Sequence, residues 1–257
     1  MRGRALNVHY LPRFVAAKEL AGSAVVVIDL LRASSTICHA LAAGAREVVP
    51  FLEVEDAIAA WAKGNRADIV LGGERGGTRI DGFDLGNSPS EYTPATVRGR
   101  RVFITTTNGT RALHHARFAR RVLVGAFLNL SAVVRSIKDE ASVEILCAGT
   151  DGEVTREDTL VAGAMVHQLC HLPSANWHLN DSAAMVGADW SLILAKAELG
   201  SRTVNEQLAL ELRDTPGGRN LLGIGLDQDL VDCAQVDRLS IVPELDVRAW
   251  RIHLPAG

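Results

Sequence analysis

Apolar and polar positions follow two patterns that alternate along the chain. Short runs rich in Val, Ile and Leu are nearly continuous in apolar residues, as strands are when both faces of a parallel or mixed sheet are covered. These runs predict strands at residues 23–30, 46–51, 69–72, 101–106, 121–125 and 143–147. The segments between them are rich in Ala and Leu, which predicts helices at residues 34–43, 54–63, 108–116 and 130–140. We therefore predict an α/β fold of three layers, α/β/α, with a parallel or mixed sheet between helices.

The pattern changes after about residue 172. A long helix is predicted at residues 155–172, and Pro173 and Ser174 then interrupt the chain. The segments that follow are predicted as two helices and a last strand, at residues 181–197, 204–213 and 239–242. The change predicts an α/β lobe over residues 1–173, with most of the strand-end loops, and a mainly helical C-terminal lobe over residues 174–257. One continuous domain is the alternative.

The composition indicates a globular protein without a general affinity for polyanions. The chain has 257 residues, of which 47% are hydrophobic and 22% charged, enough to bury a substantial core. Its formal net charge is -3 and its Lys and Arg residues are scattered, which argues against nucleic acid as a partner. No run approaches the roughly 18 apolar residues of a membrane span, and the basic N-terminus lacks the apolar segment of a signal peptide. We expect a cytoplasmic protein without a membrane partner.

The cysteines give no sign of metal or redox chemistry. They lie far apart and form no CxxC pair, which favours buried free thiols. None is followed six positions later by Arg, so a cysteine-based phosphatase is excluded. The four residues are Cys38, Cys147, Cys170 and Cys233.

Polar side chains gather where predicted strands pass into helices. In open α/β sheets, ligands bind beyond the carboxyl ends of strands, where helix N-termini present free N–H groups. Each junction alone is most simply a helix cap or a turn. Several junctions together combine donors with carboxylates, which predicts an anion or metal site. Apart from one Gly-rich loop, the candidates are Asp29, Arg32, Thr107, Asn108, Thr110, Thr150, Asp151, Glu157 and Asp158.

The Gly-rich loop at residues 72–93 reads GGERGGTRIDGFDLGNSPSEYT and combines glycine with charge. Glycine lets backbone N–H groups approach a phosphate closely, and Arg75 can offer it a planar, bidentate partner. Tight turns alone would also explain glycines. We expect the loop to shape a phosphate cradle and to contact substrate through Gly72, Gly73, Gly76, Gly77, Asn87 and Ser88.

The acidic residues predict a metal ion. Carboxylates beside a phosphate repel it unless a divalent cation lies between them, and hard oxygen ligands favour Mg²⁺. Phosphate monoester hydrolysis needs accelerations up to about 10²¹, whereas one general acid or base typically contributes roughly 10² to 10⁴. A cation, together with Arg and backbone donors, supplies the larger electrostatic stabilisation. We assign Asp29, Glu74 and Asp151 as metal ligands, with Glu157 and Asp158 as alternates.

The remaining polar residues are expected to hold a small, anionic, phosphorylated substrate. Its anionic groups are assigned to Arg32, Arg75, Asn108 and Thr110, with Thr107 and Thr150 as further contacts. Which carboxylate is the general base stays open, as does the choice between direct water attack and a phosphoenzyme. The residues expected to take part in catalysis are Asp29, Arg32, Glu74, Arg75, Asn108 and Asp151.

Five segments occur in the order found in a known family: VVIDLLRASST, GGERGGTRIDGFDLGNSPSEY, TTTNGTRAL, CAGTDGEVTREDTLVAGA and DLVDCAQVDRLSIVP. They extend from about residue 23 to residue 243, and the second is long enough to be highly specific. Together they resemble the 2-phosphosulfolactate phosphatase family. The resemblance implies a Mg²⁺-dependent phosphatase of the coenzyme M route, which converts (2R)-2-phospho-3-sulfolactate to 3-sulfolactate and inorganic phosphate.

Other phosphatase chemistries find little support. Residues 227–231 match the aspartyl phosphatase letters DxDx[TV], but no apolar strand precedes them and the surrounding apolar residues have helical spacing. The P-loop pattern GxxxxGK[ST] is absent. The histidines His39, His114 and His115 fit helix faces better than the role of a base. The alternative function is a non-catalytic protein that binds a small dianionic metabolite, and a homodimer is left open.

Overall fold

The structure is a computed structural model, and it describes residues 3–173 and 175–255. Its strands are β1 (Arg4–His9), β2 (Ala24–Ile28), β3 (Glu47–Pro50), β4 (Ile69–Arg75), β5 (Thr78–Arg79), β6 (Arg101–Thr105), β7 (Arg121–Val124), β8 (Ser142–Cys147), β9 (Trp177–Leu179), β10 (Glu244–Asp246) and β11 (Arg251–His253). Its α-helices are α1 (Ala33–Ala42), α2 (Val54–Lys63), α3 (Pro94–Val97), α4 (Gly109–His115), α5 (Leu130–Ile137), α6 (Arg156–Cys170), α7 (Asp181–Leu199), α8 (Val204–Arg213), α9 (Pro216–Gly223) and α10 (Asp227–Cys233). The predicted α/β class is confirmed.

The strands of the described residues form one mixed sheet in the order β5-β4-β6-β3-β11-β10-β7-β2-β8-β1-β9. Within it, β7, β2, β8, β1 and β9 are parallel to one another, and so are β4, β6 and β3. The hairpin β10–β11 lies between these two sets and is antiparallel to β7 on one side and to β3 on the other. The parallel sets hold the strand-to-helix junctions that the sequence marked as functional.

The two parallel sets share one hydrophobic core. Val25 and Val27 of β2 belong to the same buried cluster as Val102 and Ile104 of β6. Val27 and Ile104 also line one small cavity, so these parts of the two strands lie close together. The loops that follow β2 and β6 can therefore open onto one cleft, although several strands separate them in the sheet order.

The C-terminal helices cover the opposite face of β2. Val26 and Ile28 belong to a second buried cluster, which also contains Met165 of α6, Trp190 of α7 and Leu208 of α8. The hairpin β10–β11 comes from the same C-terminal part of the chain but lies in the middle of the sheet. The division into two lobes stays a prediction, and Ser174 at its boundary is outside the described residues.

The strand predicted at residues 239–242 is wrong. This segment has no regular structure, because the loop after β7 binds its backbone: Leu239 donates to the Leu128 carbonyl, and the Ile241 carbonyl accepts from the Asn129 side chain. The C-terminal strands lie further along, in β10 and β11. Three apolar residues in a segment of four were not enough to tell a strand from an irregular loop.

Strand β1 was not predicted from the sequence. Its buried residues Leu6 and Val8 alternate with polar ones, and a search for continuous apolar runs overlooks that pattern. The polar members still have partners, since Asn7 and His9 both bond to the Glu144 carboxylate, at 3.1 and 2.8 Å. Strands β1 and β8 are therefore joined by side-chain hydrogen bonds as well as by backbone pairing.

Three further expectations can be compared with the structure. Within the described residues, no helix is both long and apolar enough to cross a membrane. The cysteines are free, as expected, with Cys38, Cys147 and Cys233 buried and Cys170 half-buried. Burial raises the pKa of the Cys38 and Cys147 thiols, which keeps them protonated. Residues 227–231 lie in α10, in agreement with their helical spacing.

Candidate active site

A cleft of about 350 Å³ opens where several strand-end loops meet. The loops that follow β2, β4, β6 and β8 all contribute to it, and α9 supplies a further wall. The predicted residues that line the cleft are Asp29, Arg32, Glu74, Gly76, Gly77, Asn87, Thr107, Asn108, Thr150 and Asp151. Tertiary folding thus brings four separate sequence junctions into one site.

Asp29 lies directly after β2, in a turn that its own backbone and side chain help to form. Its N–H donates to Ser34 Oγ at 2.9 Å, and its Oδ1 accepts from the Ala33 N–H at 3.2 Å. Burial raises the pKa of Asp29 to about 7, and the neighbouring carboxylates of Glu74 and Glu157 act in the same direction. The bond from Ala33 opposes the shift without cancelling it. A cation bound beside Asp29 would therefore stabilise its ionised form.

The first turn of α6 adds two more buried acids next to Asp29. Asp158 accepts from the Leu30 N–H at 2.8 Å and from the Gly149 N–H at 3.0 Å, so it ties the loop after β2 to the loop after β8. Glu157 is 2% exposed, and its Oε2 has no hydrogen-bond partner among the described residues. Burial raises the pKa of both carboxyl groups. Neither residue lines the cleft itself, which places them as support for Asp29.

Glu74 joins the Gly-rich loop to the loop after β6. Its Oε2 accepts from the Gly77 N–H at 2.7 Å, and its Oε1 accepts from the Thr107 N–H at 2.8 Å. Gly76 and Gly77 have φ angles of 61° and 85°, a left-handed conformation that favours glycine. The turn therefore exists because glycine follows Arg75, and it folds back onto the Glu74 carboxylate.

Arg32 is the cation that lines the cleft, and it is firmly held. It is 3% exposed, its Nη1 donates to Asp229 Oδ2 at 2.6 Å, and its Nη2 donates to the Gly77 carbonyl at 2.6 Å. The Ser88 hydroxyl donates to the other oxygen of Asp229. Ser88 thus supports the site from behind, and Asp229 of α10 fixes the direction of the guanidinium group.

Asn108 and Asp151 join the loops after β6 and β8 in the cleft lining. The Asp151 N–H donates to Asn108 Oδ1 at 3.2 Å, and Asp151 has a φ of 52°, which favours residues with short polar side chains. Two atoms along the cleft are buried without a hydrogen-bond partner among the described residues, Asn87 Oδ1 and Thr107 Oγ1. Buried polar atoms are nearly always paired, so these two are candidates for ligand contacts.

Some predicted residues are not brought to the cleft. Arg75 donates to the Glu74 carbonyl at 2.8 Å and to Thr105 Oγ1 at 3.0 Å, which occupies its guanidinium next to β6. The Thr110 hydroxyl donates to the Thr106 carbonyl at 2.9 Å, within its own helical turn. Their roles as substrate ligands stay predictions that the hydrogen bonding does not favour.

Gly72 and Gly73 also lie outside the cleft lining, and packing explains both. A Cβ on Gly72 would be 2.1 Å from Tyr92 Oη, and a Cβ on Gly73 would be 2.1 Å from the Thr105 carbonyl oxygen. The Gly73 N–H already donates to the carbonyls of Leu85 and Gly86. The first two glycines of the loop therefore permit close contacts within the fold, and the second two shape the cleft.

The predicted metal ligands share the cleft but do not form a closed cage. In the part of the chain that the structure describes, no three His, Cys, Asp or Glu side chains are grouped closely enough to hold a metal ion. Asp29, Glu74 and Asp151 nevertheless all face the same space. This is an open, oxygen-rich arrangement, in which substrate and water would have to supply further ligands.

Comparison with known proteins gives a consistent assignment. The model of the 2-phosphosulpholactate phosphatase family matches residues 10–247. A relative from Symbiobacterium thermophilum, named a probable 2-phosphosulfolactate phosphatase, is 42% identical over 88% of this chain and 93% of its own. Relatives with the same name from Caldanaerobacter subterraneus subsp. tengcongensis and Synechococcus sp. (strain JA-3-3Ab) are 39% and 40% identical, over 89% and 85% of this chain and 90% and 87% of their own. The chain belongs to the 2-phosphosulfolactate phosphatase family.

Membership of the 2-phosphosulfolactate phosphatase family confirms both the resemblance read from the sequence and the class of enzyme, a phosphoric monoester hydrolase. It also counts against the alternative of a non-catalytic binding protein. The matched range includes every strand-end loop that lines the cleft. The cleft is therefore the place in this member of the family where phosphate chemistry is expected.

Sequence reasoning missed two parts of the site. Asp229 was treated only as part of an aspartyl phosphatase look-alike, although a buried Arg32 demands a carboxylate partner. The wall formed by Pro216, Gly217 and Asn220 was also overlooked. A Thr-Pro-Gly-Gly sequence at residues 215–218 marks a capped helix start, but nothing local shows that this helix faces the loop after β2.

Proposed function

We propose that this protein is a Mg²⁺-dependent phosphatase that hydrolyses 2-phospho-3-sulfolactate, or a closely related phosphorylated hydroxy acid, to 3-sulfolactate and inorganic phosphate. The names of its relatives support the substrate, and the family supports the reaction class. The corresponding place in metabolism is a cytoplasmic step towards coenzyme M. One structural observation carries the proposal: a buried arginine and several carboxylates face the same small cleft at the strand ends.

The cleft fits Mg²⁺ by the chemistry of its donors. Mg²⁺ takes oxygen ligands, keeps several waters and is typically bound by one or two carboxylates together with substrate phosphate oxygens. Asp29 and Glu74 provide two such carboxylates, with Asp151 in the same lining, and the unpartnered Asn87 Oδ1 offers a neutral oxygen. When bound, the ion would neutralise phosphoryl oxygens and lower the pKa of a bound water. Asp29, Glu74 and Asp151 are the residues that would hold it.

The protein's own residues bind and orient the substrate. Arg32 presents its guanidinium to the cleft while Asp229 and the Gly77 carbonyl hold it in place, so little reorganisation is needed when a phosphate arrives. The Gly76–Gly77 turn leaves space beside it, since a Cβ on Gly76 would meet no atom within 4 Å. Asn108 and Thr107 offer hydrogen-bonding groups along the same path. In the proposed reaction these groups would orient the phosphate ester for cleavage, with direct water attack and a phosphoenzyme both left open.

Release of inorganic phosphate tests the proposal directly. The purified protein is assayed with phosphosulfolactate, phospholactate and isopropyl phosphate, first with Mg²⁺ and then with excess chelator after metal removal. We expect activity that depends on Mg²⁺, and a kcat/KM for phosphosulfolactate about tenfold to a hundredfold above that for isopropyl phosphate, equivalent to about 1.4 to 2.7 kcal/mol. Full activity without metal would refute the metal role, and equal efficiency with all three substrates would refute the substrate class.

A further inference from the structure

A second compartment of about 530 Å³ adjoins the cleft. The two share Asn108 and Asp151, so the compartment continues the cleft on the side of these two residues, and Arg32 is not part of its lining. Its other walls include Arg13, from the segment after β1, and Arg111 of α4. Two arginines from distant parts of the sequence thus line one compartment beside the site.

These two arginines are not neutralised by an ion pair with any other described residue. Both are exposed, and neither forms an ion pair within 4.0 Å with an acidic residue in the described part of the chain. The Arg13 guanidinium lies 5.3 Å from the centre of the Phe14 ring. Among the described lining residues, Asp151 is the one acid against two arginines, which gives the compartment a net positive charge.

The compartment on the opposite side of the cleft has a different charge balance. It measures about 390 Å³ and contains Arg32, Arg79 and Glu91. Arg32 is already neutralised by Asp229, and Glu91 adds a negative charge beside Arg79. An anionic group that extends from the cleft is therefore stabilised on the side of Arg13 and Arg111 and gains little on the other side.

We propose that Arg13 and Arg111 bind the anionic group of the substrate that is remote from the phosphate, a sulfonate or a carboxylate. Arg32 and the Gly76–Gly77 turn hold the phosphate at one end, and the paired arginines select substrates with a second negative charge at the other. Asn108 lies between the two, with its Oδ1 bound to the Asp151 N–H. The assignment rests on the proposed phosphatase function and adds the residues that determine substrate choice.

Matched substrates and variants test this assignment. Arg13→Ala, Arg111→Ala and the double variant are compared with wild type on phosphosulfolactate, phospholactate and isopropyl phosphate, with Arg79→Ala as the control from the opposite compartment. We expect each single variant to lower kcat/KM for phosphosulfolactate by about tenfold or more, mainly through KM, because one charge-assisted contact is lost. Isopropyl phosphate carries no second anion, so its kcat/KM should change less than twofold. Arg79→Ala should resemble wild type on all three substrates.

Two results would overturn the assignment: an equal loss on all three substrates in the arginine variants, or an equal loss for Arg79→Ala. Circular dichroism and melting curves check that each variant is folded. If wild type does not prefer phosphosulfolactate, the proposed substrate is refuted but the role of the two arginines is not. A separate measurement then tests the arginines. Binding of 3-sulfolactate is then followed by calorimetry, and the paired arginines have no such role if the double variant binds it as tightly as wild type.

Discussion

Two buried acidic residues at strand ends have opposite surroundings. Glu47, at the start of β3, accepts from Arg101 at 2.6 Å and from Arg251 at 3.3 Å, so three strands are joined by one carboxylate with two cations. Asp29, just after β2, lies instead beside other carboxylates, and burial raises its pKa to about 7. The two residues have similar burial, 7% and 8% exposed. What differs is whether the fold supplies a counter-charge.

The difference separates a structural charge from a functional one. A buried charge is tolerated when it is paired, and it is costly when it is left without a partner. Asp29 in the cleft lining lies close to Glu157 and Asp158 behind it, and the buried Arg32 in the same lining is already paired with Asp229. Such an arrangement destabilises the fold unless something positive binds there. A buried acidic residue without a cationic partner therefore indicates the site better than a buried acidic residue in general.

The largest effect is expected for Asp29→Asn. The amide keeps the shape of the carboxylate but removes the negative charge that a metal ligand needs. Activity should fall by a factor on the order of 10² or more at low Mg²⁺ and recover in part at high Mg²⁺. The check is kcat at saturating substrate across a Mg²⁺ series. Full activity at low metal would show that Asp29 is not a ligand.

Arg32 and Arg75 offer a sharp contrast between neighbouring cations. The sequence predicts that Arg75→Ala lowers kcat by roughly 10² to 10³ without rescue by metal, as for other electrostatic donors. Because Arg75 donates to the Glu74 carbonyl and to Thr105, and Arg32 lines the cleft, we expect the larger loss for Arg32→Ala. Single-turnover rates of both folded variants decide the matter. If turnover falls for Arg75→Ala and not for Arg32→Ala, Arg75 is the residue that binds the substrate phosphate, as the sequence predicted.

Asp29→Asn should also raise the stability of the metal-free protein. The folded pKa of Asp29, about 7, lies above its ordinary value of 3.8, so the contribution of this residue to stability is fully present below about pH 3.8 and is lost as the pH rises through 7. The asparagine variant does not titrate and avoids this loss. At pH 8 its Tm should exceed that of wild type by about 2 °C or more, and the gap should close towards pH 4. An equal gap at both pH values would contradict this linkage.

The smallest effect is expected for Glu47→Gln, the matched change in the paired cluster. The variant loses the charge that Arg101 and Arg251 share, and both arginine side chains are partly exposed, 34% and 49%. Solvent screening limits the loss of stability to about 1 kcal/mol, and activity should stay within about twofold of wild type. Urea unfolding and the phosphate-release assay measure the two quantities. A large loss of activity would link this end of the fold to catalysis.

Much of the architecture and of the site could be predicted from local sequence. The apolar runs at β2, β6, β7 and β8 gave the strands, because full burial on both faces leaves a continuous apolar pattern. The rule that ligands bind beyond the carboxyl ends of strands then pointed to Asp29, Glu74, Asn108 and Asp151, which share the cleft. The two parallel sets run in opposite directions in this sheet, so the rule named the right loops while the tertiary structure brought them to one cleft.

The tertiary structure alone decided which groups pair and which remain without a partner. The hairpin β10–β11 enters the middle of the sheet from the end of the chain, and Asp229 reaches Arg32 across 197 positions. Sequence patterns carry no record of such long-range partners, since periodicity reports the burial of a face and not the identity of its neighbour. The same limit explains Arg75, whose side chain donates to Thr105 on the neighbouring strand β6. Sequence therefore determined which loops form the site, and three-dimensional packing determined which of their charges remain available for chemistry.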